Sequence, residues 1–396
     1  MDAALITRLR AHTPGCGAGA HFNHAGASLP SSATLWAITE QLRREALDGP
    51  MEAASHANDG IAAARAAAAA LLNAAASEVA FASSGAAAWG MAFAALPALA
   101  PGDRVLVGRH EWGGNLATLE VAANRAGARV EVIPCRDDGA VDPDALATMM
   151  DTRVKLVSLT WLPANGGLIN DAVAIGRVAR AADVAYFVDA GQALGQLPVD
   201  VQAIGCDVLN GAGRKHLRGP RGTAILYVRQ GFHARLRPAF LDVLSAPWID
   251  DAPVPRGDAR VFETSEVSAA LLLGLGQALG EALANDVPAI RDRVRAQAER
   301  LRARLADLPG VTIHDLGTEQ SGLVSFTIEG IEAARVRDQL AVLRLAVGAN
   351  PRAYTPLDMT ARRLAEVVRA SVSYLNTDDE VDRLVTASGE LARSRR

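Results

Sequence analysis

Cysteine, aromatic residues, runs of like charge and uninterrupted apolar spans are all scarce in this sequence. The three cysteines, Cys16, Cys135 and Cys206, are odd in number, far apart and without C-x-x-C spacing. That argues against a disulfide framework or a structural zinc site and fits a reducing compartment. Aromatic residues make up only 4% of the chain, so small side chains have to fill much of the core. Alanine is heavily used; it is the best helix former and lets helices pack closely. The net charge is −4, with no block of one sign. Nothing here suggests a nucleic-acid or polybasic membrane surface. Val79–Gly102 carries no charge and is long enough to cross a bilayer. It is broken, however, by Ser83, Ser84, Gly85, Gly90, Pro97 and Pro101, and reads as a buried strand end, a turn and a core helix. The N-terminal stretch has Asp2 and no long apolar core, so no secretory signal and no membrane association are expected, and the protein is placed in the cytoplasm.

What is present is enough apolar material for a sizeable core. Half of the 396 residues are hydrophobic, and the length suits two domains, or one large α/β domain with a smaller companion. Strand-like runs recur at Arg104–Gly108, Ala128–Pro134, Val154–Thr160, Val184–Ala190 and Thr223–Val228. Helical patterns lie between several of them: Leu116–Ala126, Pro143–Met150 after Asp142, and Ala172–Ala181 after Asn170 or Asp171. Alternation of this kind predicts an α/β fold with a mostly parallel sheet. Ligands then bind beyond the carboxyl ends of the strands. After Asp250 the pattern changes to long helices near Val267–Ala284 and Ala289–Leu308, a strand at Gly322–Ile328, a helix near Ala333–Leu340 and a last helix after Asn376-Thr377. The expected division is residues 1–30 as a segment packing on the small domain and the mouth of the site, 31–255 as the large domain and 256–396 as a small α+β domain.

Three features at the strand ends bear on chemistry. Asp189 ends an apolar strand, with Gln192 three residues on. An acid there is either a helix cap or the partner of a ring nitrogen in a bound cofactor, since a desolvated carboxylate needs a cation. Lys215 follows the next apolar run in a glycine-rich loop with Arg214, Arg218 and Arg221. It is either a surface lysine or a Schiff-base lysine whose pKa those cations lower. Ser83–Gly90 places small residues at a helix start, where free N–H groups suit an anion. A nicotinamide oxidoreductase would need G-x-G-x-x-G after the first strand, and none occurs in that context. Neither length nor charge leaves room for the DNA-binding module of a cofactor-dependent regulator.

Asp189-x-x-Gln192 followed by Lys215-x-x-x-Gly219-Pro220-x-Gly222 resembles the pyridoxal-phosphate segment of the class V aminotransferases, the group that includes cysteine desulfurases. "FNHAGASLPSS", "WLPANGG", "RVFET" and "VVRASVSYLNTDDEVDRL" fall in the matching order, so the resemblance covers nearly the whole chain. It implies a fold-type I architecture: a large domain with a mostly parallel seven-stranded sheet, plus a smaller C-terminal domain. Pyridoxal 5'-phosphate is the implied cofactor and an amino acid the implied substrate. Lys215 would form the Schiff base and shuttle protons, and Asp189 would keep the pyridine nitrogen protonated. A unit-charge pair about 4 Å apart carries about 4 kcal/mol at an effective dielectric of 20, roughly three pKa units before desolvation is counted. Gln192 and Asn165 would hydrogen-bond the ring hydroxyl, and Trp112 would stack on the ring. Ser84, Gly85 and Ala86 would cradle the phosphate. Arg369 would clamp the substrate carboxylate, while His24, Arg352 and Tyr354 would stand near the substrate mouth or serve only as loop or packing residues. The family also implies a homodimer with shared active sites.

The sequence departs from the family in three places. Ala86 and Ala212 stand where phosphate-binding hydroxyls are frequent, and Arg214 stands where histidine often precedes the lysine. Arg214, or the segment around Thr264 and Ser265 of a second subunit, is expected to compensate. Cysteine desulfurases carry a mobile cysteine in the loop before the carboxylate arginine, and "AVGANPRAYTPLDMTARRLAEVVRAS" has none. Persulfide chemistry on the enzyme is therefore disfavoured. β-Elimination, transamination and epimerisation remain, all on the same residues. "REALDGPMEAASHA", "HEWGGN" and "GRKHLRGPRG" look like hercynylcysteine sulfoxide lyases of ergothioneine biosynthesis, which tilts the expectation toward a C–S lyase.

Overall fold

The computed structural model describes residues 1–394. Seven strands form the central sheet: β1 Val79–Ala82, β2 Arg104–Gly108, β3 Arg129–Ile133, β4 Val154–Thr160, β5 Ala185–Asp189, β6 Val208–Ala212 and β7 Ala224–Val228. Their order is β1-β7-β6-β5-β4-β2-β3. From β6 to β3 all neighbours are parallel; β7 runs antiparallel to both β6 and β1. Strands β5, β6 and β7 are buried almost throughout. That is why they read as unbroken apolar runs and not as an alternation. Leu106, Val157 and Leu159 point into one apolar layer, and Val105, Val107 and Leu156 into the layer on the opposite face. Among the described residues no helix is long and apolar enough to cross a membrane. The uncharged stretch Val79–Gly102 supplies β1, a turn and α1, Gly85–Ala94.

Two helix starts differ from the pattern-based expectation. α2 spans Gly113–Ala126 and begins before Leu116; the two glycines, poor helix formers, hide its first turn. The helix expected at Ala289–Leu308 is α4, Val287–Ala306. Pro288 lies in its first turn and Asp286 accepts from the Ala289 N–H, both strong start signals.

The apolar helix α3, Ala269–Ala284, lies beyond the expected boundary at 255/256 and packs on the large core. Its Leu272, Leu275 and Leu279 enter the large core beside Ala64, Ala68 and Leu72. A side chain added at Gly276 would stand 2.7 Å from the Ala64 Cβ, so small residues set this close approach. Burial of each such leucine contributes about 1.5–3 kcal/mol, which holds α3 to the large domain. The second core takes over at Ile290. It lies between α4, the C-terminal helix α5 (Asp378–Arg393) and a four-stranded antiparallel sheet. That sheet comprises β8 Val311–Ile313, β9 Leu323–Ile328, β10 Gly348–Pro351 and β11 Glu366–Ser371, in the order β8-β9-β11-β10. Helix α5 starts on a capping box formed by Thr377 and Glu380. The N-terminal segment joins this second core through Ile6 and Phe22. Ala20–His21 also pairs in parallel with Leu345–Ala346.

Candidate active site

The carboxyl ends of β2, β4, β5 and β6 open onto one edge of the sheet, and their loops meet the N-terminal segment and β11. A cavity of about 320 Å³ lies there, lined by Lys215, Asp189, Gln192, Trp112, Thr160 and Asn210 around its centre. Ser83, Ser84, Gly85 and Ala86 line one end, together with Arg214, Arg221 and Thr223.

Lys215 is one of only two lysines in the chain, the other being Lys155. Burial pushes its amine down to about 8; nearby Asp189 opposes that shift, and Arg214 and Arg369 add to it. Arg218 does not act on the lysine as expected. Its backbone is left-handed at φ 65°, and its side chain turns away to donate to Leu29 O, the Tyr374 hydroxyl and Thr13 Oγ1.

Asp189 is anchored from both sides. Its Oδ1 accepts from the Gly191 N–H at 2.9 Å and its Oδ2 from Asn115 Nδ2 at 3.0 Å. Gln192 Nε2 donates to Ala25 O at 3.1 Å. Gln192 Oε1 and Asn210 Oδ1 are buried without a partner. Buried polar atoms of that kind call for a ligand, since leaving them unpaired costs about 1–3 kcal/mol each. The Trp112 N–H donates to Thr160 Oγ1 at 2.9 Å, and its indole lies 5.1 Å from the Tyr354 ring at the rim. At the other end, Ser84 Oγ accepts from the Ala87 N–H and caps α1. The amides of Gly85 and Ala86 belong to the first turn, where helical N–H groups lack intrahelical acceptors.

Arg369, on β11, is buried beside the cavity. It donates to Ala164 O at 2.9 Å and to Asn23 Oδ1 at 3.2 Å, and its Nε has no partner. Burial lowers its pKa to about 10 despite the help of Tyr354.

Besides Arg369, three expected residues are not at the cavity wall. Asn165 donates to Pro351 O at 3.1 Å and accepts from Asn350 Nδ2 at 2.9 Å; its amide ties the two halves of the chain together. His24 is 1% exposed. It faces Ser28 Oγ at 3.0 Å and the His21 ring, and burial pushes its imidazole well below the ordinary range. It packs beneath the mouth and does not line it. Thr264, half-buried beyond the turn Ala259–Phe262, lies outside the cavity of its own chain. Conversely, Glu111, Asn115, Thr160 and Asn210 were not singled out from sequence. Thr160 ends β4, Asn115 lies in the first turn of α2, Glu111 in the loop after β2 and Asn210 within β6, all toward the carboxyl edge of the sheet, where ligand contacts concentrate.

The groups gathered here match those that pyridoxal 5'-phosphate presents: an aldehyde, a ring nitrogen, a phenolic oxygen, a flat ring and a phosphate. The cavity offers an amine of lowered pKa, a carboxylate, buried amide oxygens and N–H groups, an indole, and a helix start flanked by arginines.

Comparison with known proteins agrees. The family described as aminotransferase class-V matches residues 21–384. A probable cysteine desulfurase of Xylella fastidiosa is 30% identical over 295 residues, 74% of this chain and 70% of the relative. One of Methanothermobacter thermautotrophicus is 27% identical over 297 residues, 74% of each chain. Among solved structures, the cysteine desulfurase of Thermococcus onnurineus NA1 superposes with a TM-score of 0.91 at 21% identity, covering 98% of both chains. The cystine C-S lyase C-DES, bound to cysteine persulfide, superposes with a TM-score of 0.86 at 22% identity, covering 96% of this chain and 99% of that one. These two share the fold. The chain belongs to the class-V aminotransferase family of fold-type I and is, with that family, a pyridoxal 5'-phosphate-dependent enzyme acting on an amino acid.

Proposed function

We propose that the protein is a carbon–sulfur lyase that acts by β-elimination on an S-substituted cysteine or its sulfoxide. The observation that carries this reading is the placement of the cysteines. None lines the cavity, and none occurs between Val347 and Ser371. Cys206 is fully buried and burial pushes its thiol far up; Cys16 and Cys135 are half-buried with raised thiol pKa values, again chiefly through burial. A sulfur-accepting thiolate needs a mobile, exposed thiol of low pKa, so sulfur has to leave with the product. That the cystine C-S lyase C-DES shares the fold is in keeping with this chemistry.

Bound in the cavity, the cofactor supplies an electron sink for negative charge at Cα. Lys215 would hold it at rest and, with burial lowering its amine to about 8, would be the base that takes the Cα proton on Nζ. Asp189 would keep the proton on the ring nitrogen, and Trp112 would cover the ring face. Gln192 would hydrogen-bond the ring oxygen; Asn165 would do so only if its amide left Asn350 and Pro351. Ser84, Gly85 and Ala86 would hold the phosphate. Arg214, or the segment around Thr264 and Ser265 reaching in from a second copy, would make up for the hydroxyls absent at Ala86 and Ala212. Arg369 holds the substrate carboxylate and so aligns the Cα–H bond with Nζ. The Cβ–S bond then breaks, its electron pair leaves with sulfur, and hydrolysis of the released enamine gives pyruvate and ammonia. The enzyme acts as a cytoplasmic homodimer; Trp36, Leu47, Met51 and Trp248, each more than half exposed, offer apolar surface to the second copy.

The test is pyruvate release from a panel of S-substituted cysteines and their sulfoxides, without a keto acid, against Lys215→Ala. Hercynylcysteine sulfoxide is the first to try, given the resemblance of three segments to lyases of that substrate. Turnover that requires a keto acid would replace elimination by transamination. Loss of Cα stereochemistry without pyruvate would replace it by epimerisation.

A further inference from the structure

Behind Asp189 lies a second carboxylate that the proposed reaction does not use. Glu111 ends the loop after β2 and is 0% exposed. Its Oε1 accepts from Thr160 Oγ1 at 2.8 Å, from Asn115 Nδ2 at 2.9 Å and from the Trp112 N–H at 3.2 Å. The same Asn115 nitrogen donates to Asp189 Oδ2 at 3.0 Å. A primary amide has two N–H bonds, and here each is directed at a carboxylate. The opposite amide orientation would set a carbonyl oxygen against two acids, so the bridge fixes Asn115 in one orientation. Thr160 closes a second path: its hydroxyl donates to Glu111 and accepts from the Trp112 N–H.

A purely structural role explains only part of this. Accepting from Trp112 and Thr160 would secure the entry to α2. It does not account for a charged residue where glutamine has the same reach, nor for Oε2, which is buried without a partner. Around Glu111 the facing groups are Asp189 on β5, Asn115 on α2, and Thr160 and Ser158 on β4. The charged group among these is another acid. Burial pushes the Glu111 carboxyl up to about 7, with Asp189 adding to the rise and Asn115, Thr160 and Ser158 opposing it. Two linked acids in a dry site require a cation on the open side of Asp189.

We propose that Glu111 is a positioning residue for the ring nitrogen of the cofactor: through the Asn115 amide it orients Asp189 and, when ionised, adds a second negative charge behind it, strengthening the hold on the ring proton. This rests on the reading of Asp189 given above. The charge reaches the nitrogen through a low-dielectric interior, where such an interaction shifts a titration by roughly one pH unit or more.

The experiment reconstitutes wild type and Glu111→Gln with pyridoxal phosphate carrying ¹⁵N in the ring. The ring-nitrogen chemical shift is followed against pH by NMR. Glutamine keeps the shape and cannot ionise. The expected result is loss of the ring proton in Glu111→Gln at a pH lower by about one unit or more than in wild type. Asn115→Ala, which cuts the bridge and leaves Glu111 in place, is expected to move in the same direction, and carries the test should Glu111→Gln not fold. Superimposable titrations would overturn the inference. A visible cofactor band that Lys215→Ala abolishes separates the two levels. With that band present and the titrations identical, only the role of Glu111 falls. Without a Lys215-dependent band, the reading of the site falls and this inference with it.

Discussion

His110 Nε2 lies 3.4 Å from Asp358 Oδ1, and this pair joins the loop that carries Glu111 and Trp112 to the helix Pro356–Ala361 in the C-terminal part of the chain. Arg109 and Arg362 complete the cluster at 3.4 and 3.2 Å from the same carboxylate. A residue added at Gly113 would also collide with the Ala353 carbonyl, so the two segments approach closely beneath the Trp112–Tyr354 rim.

Asp358→Asn should therefore loosen the rim as well as destabilise the chain. Burial opposes the charge of Asp358, yet His110 and Arg362 hold its carboxyl below the ordinary range. An acid whose folded pKa is depressed stabilises the native state above its unfolded value of about 4, and loses that contribution as pH falls through the folded one. The variant should lose about 3 kcal/mol at neutral pH, the low end of the range for breaking a buried pair. Denaturant melts at a series of pH values should show the gap to wild type closing in acid. A gap that does not change with pH would mean that shape, not charge, matters at this position.

Lys215 should titrate early. With only Lys155 beside it in the sequence, amine acylation read by peptide mass spectrometry resolves the two sites without ambiguity. In the cofactor-free protein the rate at Lys215 should rise with a midpoint near 8. A base whose folded pKa lies below its unfolded value of 10.5 weakens the native state, fully below the folded pKa and not at all above the unfolded one. Lys215→Met should accordingly raise the stability of the cofactor-free protein by about 2 kcal/mol near pH 7, with the gain fading as pH rises from about 8 and gone above 10.5. A labelling midpoint near that of an ordinary amine would contradict the buried environment.

The parts of this site visible in the sequence are those set by local chain geometry. Asp189, Gln192 and Lys215 lie within a few residues of the ends of β5 and β6, and those strands announce themselves as buried apolar runs. Ser84, Gly85 and Ala86 show as a turn between such a strand and an alanine-rich helix. Asn165 and His24 are different. The partners of Asn165, Asn350 and Pro351, lie 185 and 186 positions further along the chain, and only tertiary packing reveals that its amide is already engaged. His24 sits in a glycine-rich N-terminal loop that looks exposed, but the strand pairing of Ala20–His21 draws it inward. Glu111 has the same character: it reads as one polar residue at a strand end until Asn115 connects it to Asp189. Helix α3 follows a proline-rich passage and so seems to open the small domain, whereas its leucines face the large core.

The cysteines should be dispensable for turnover. Cys16, Cys135 and Cys206 are absent from the cavity lining, so the combined variant Cys16→Ser, Cys135→Ser, Cys206→Ala should release pyruvate at close to the wild-type rate. The fully buried Cys206 is changed to alanine because a hydroxyl there would lack a partner, and a loss of about 1 kcal/mol in stability is the expected side effect. Abolished turnover in a folded triple variant would return a sulfur-carrying thiol to the mechanism.

Arg369 should contribute through geometry as much as through charge. Its Nη1 and Nη2 are held by Ala164 O and Asn23 Oδ1, while the buried Nε has no partner. The guanidinium is thus pre-positioned by two segments, one from the loop after β4 and one from the N-terminal stretch. Lysine keeps the positive charge but cannot reproduce the planar fork or reach both anchors. Arg369→Lys should lower kcat/KM by roughly 30- to 1000-fold, the equivalent of about 2–4 kcal/mol for a buried charge-assisted contact. Because the proposed carboxylate contact would also align the Cα–H bond toward Lys215, part of that loss should fall on kcat and not only on KM. Steady-state kinetics on the best substrate of the panel, with cofactor content checked by absorbance, separates the two contributions. An unchanged kcat with raised KM would reduce Arg369 to a binding residue, and unchanged kinetics would remove it from the substrate site.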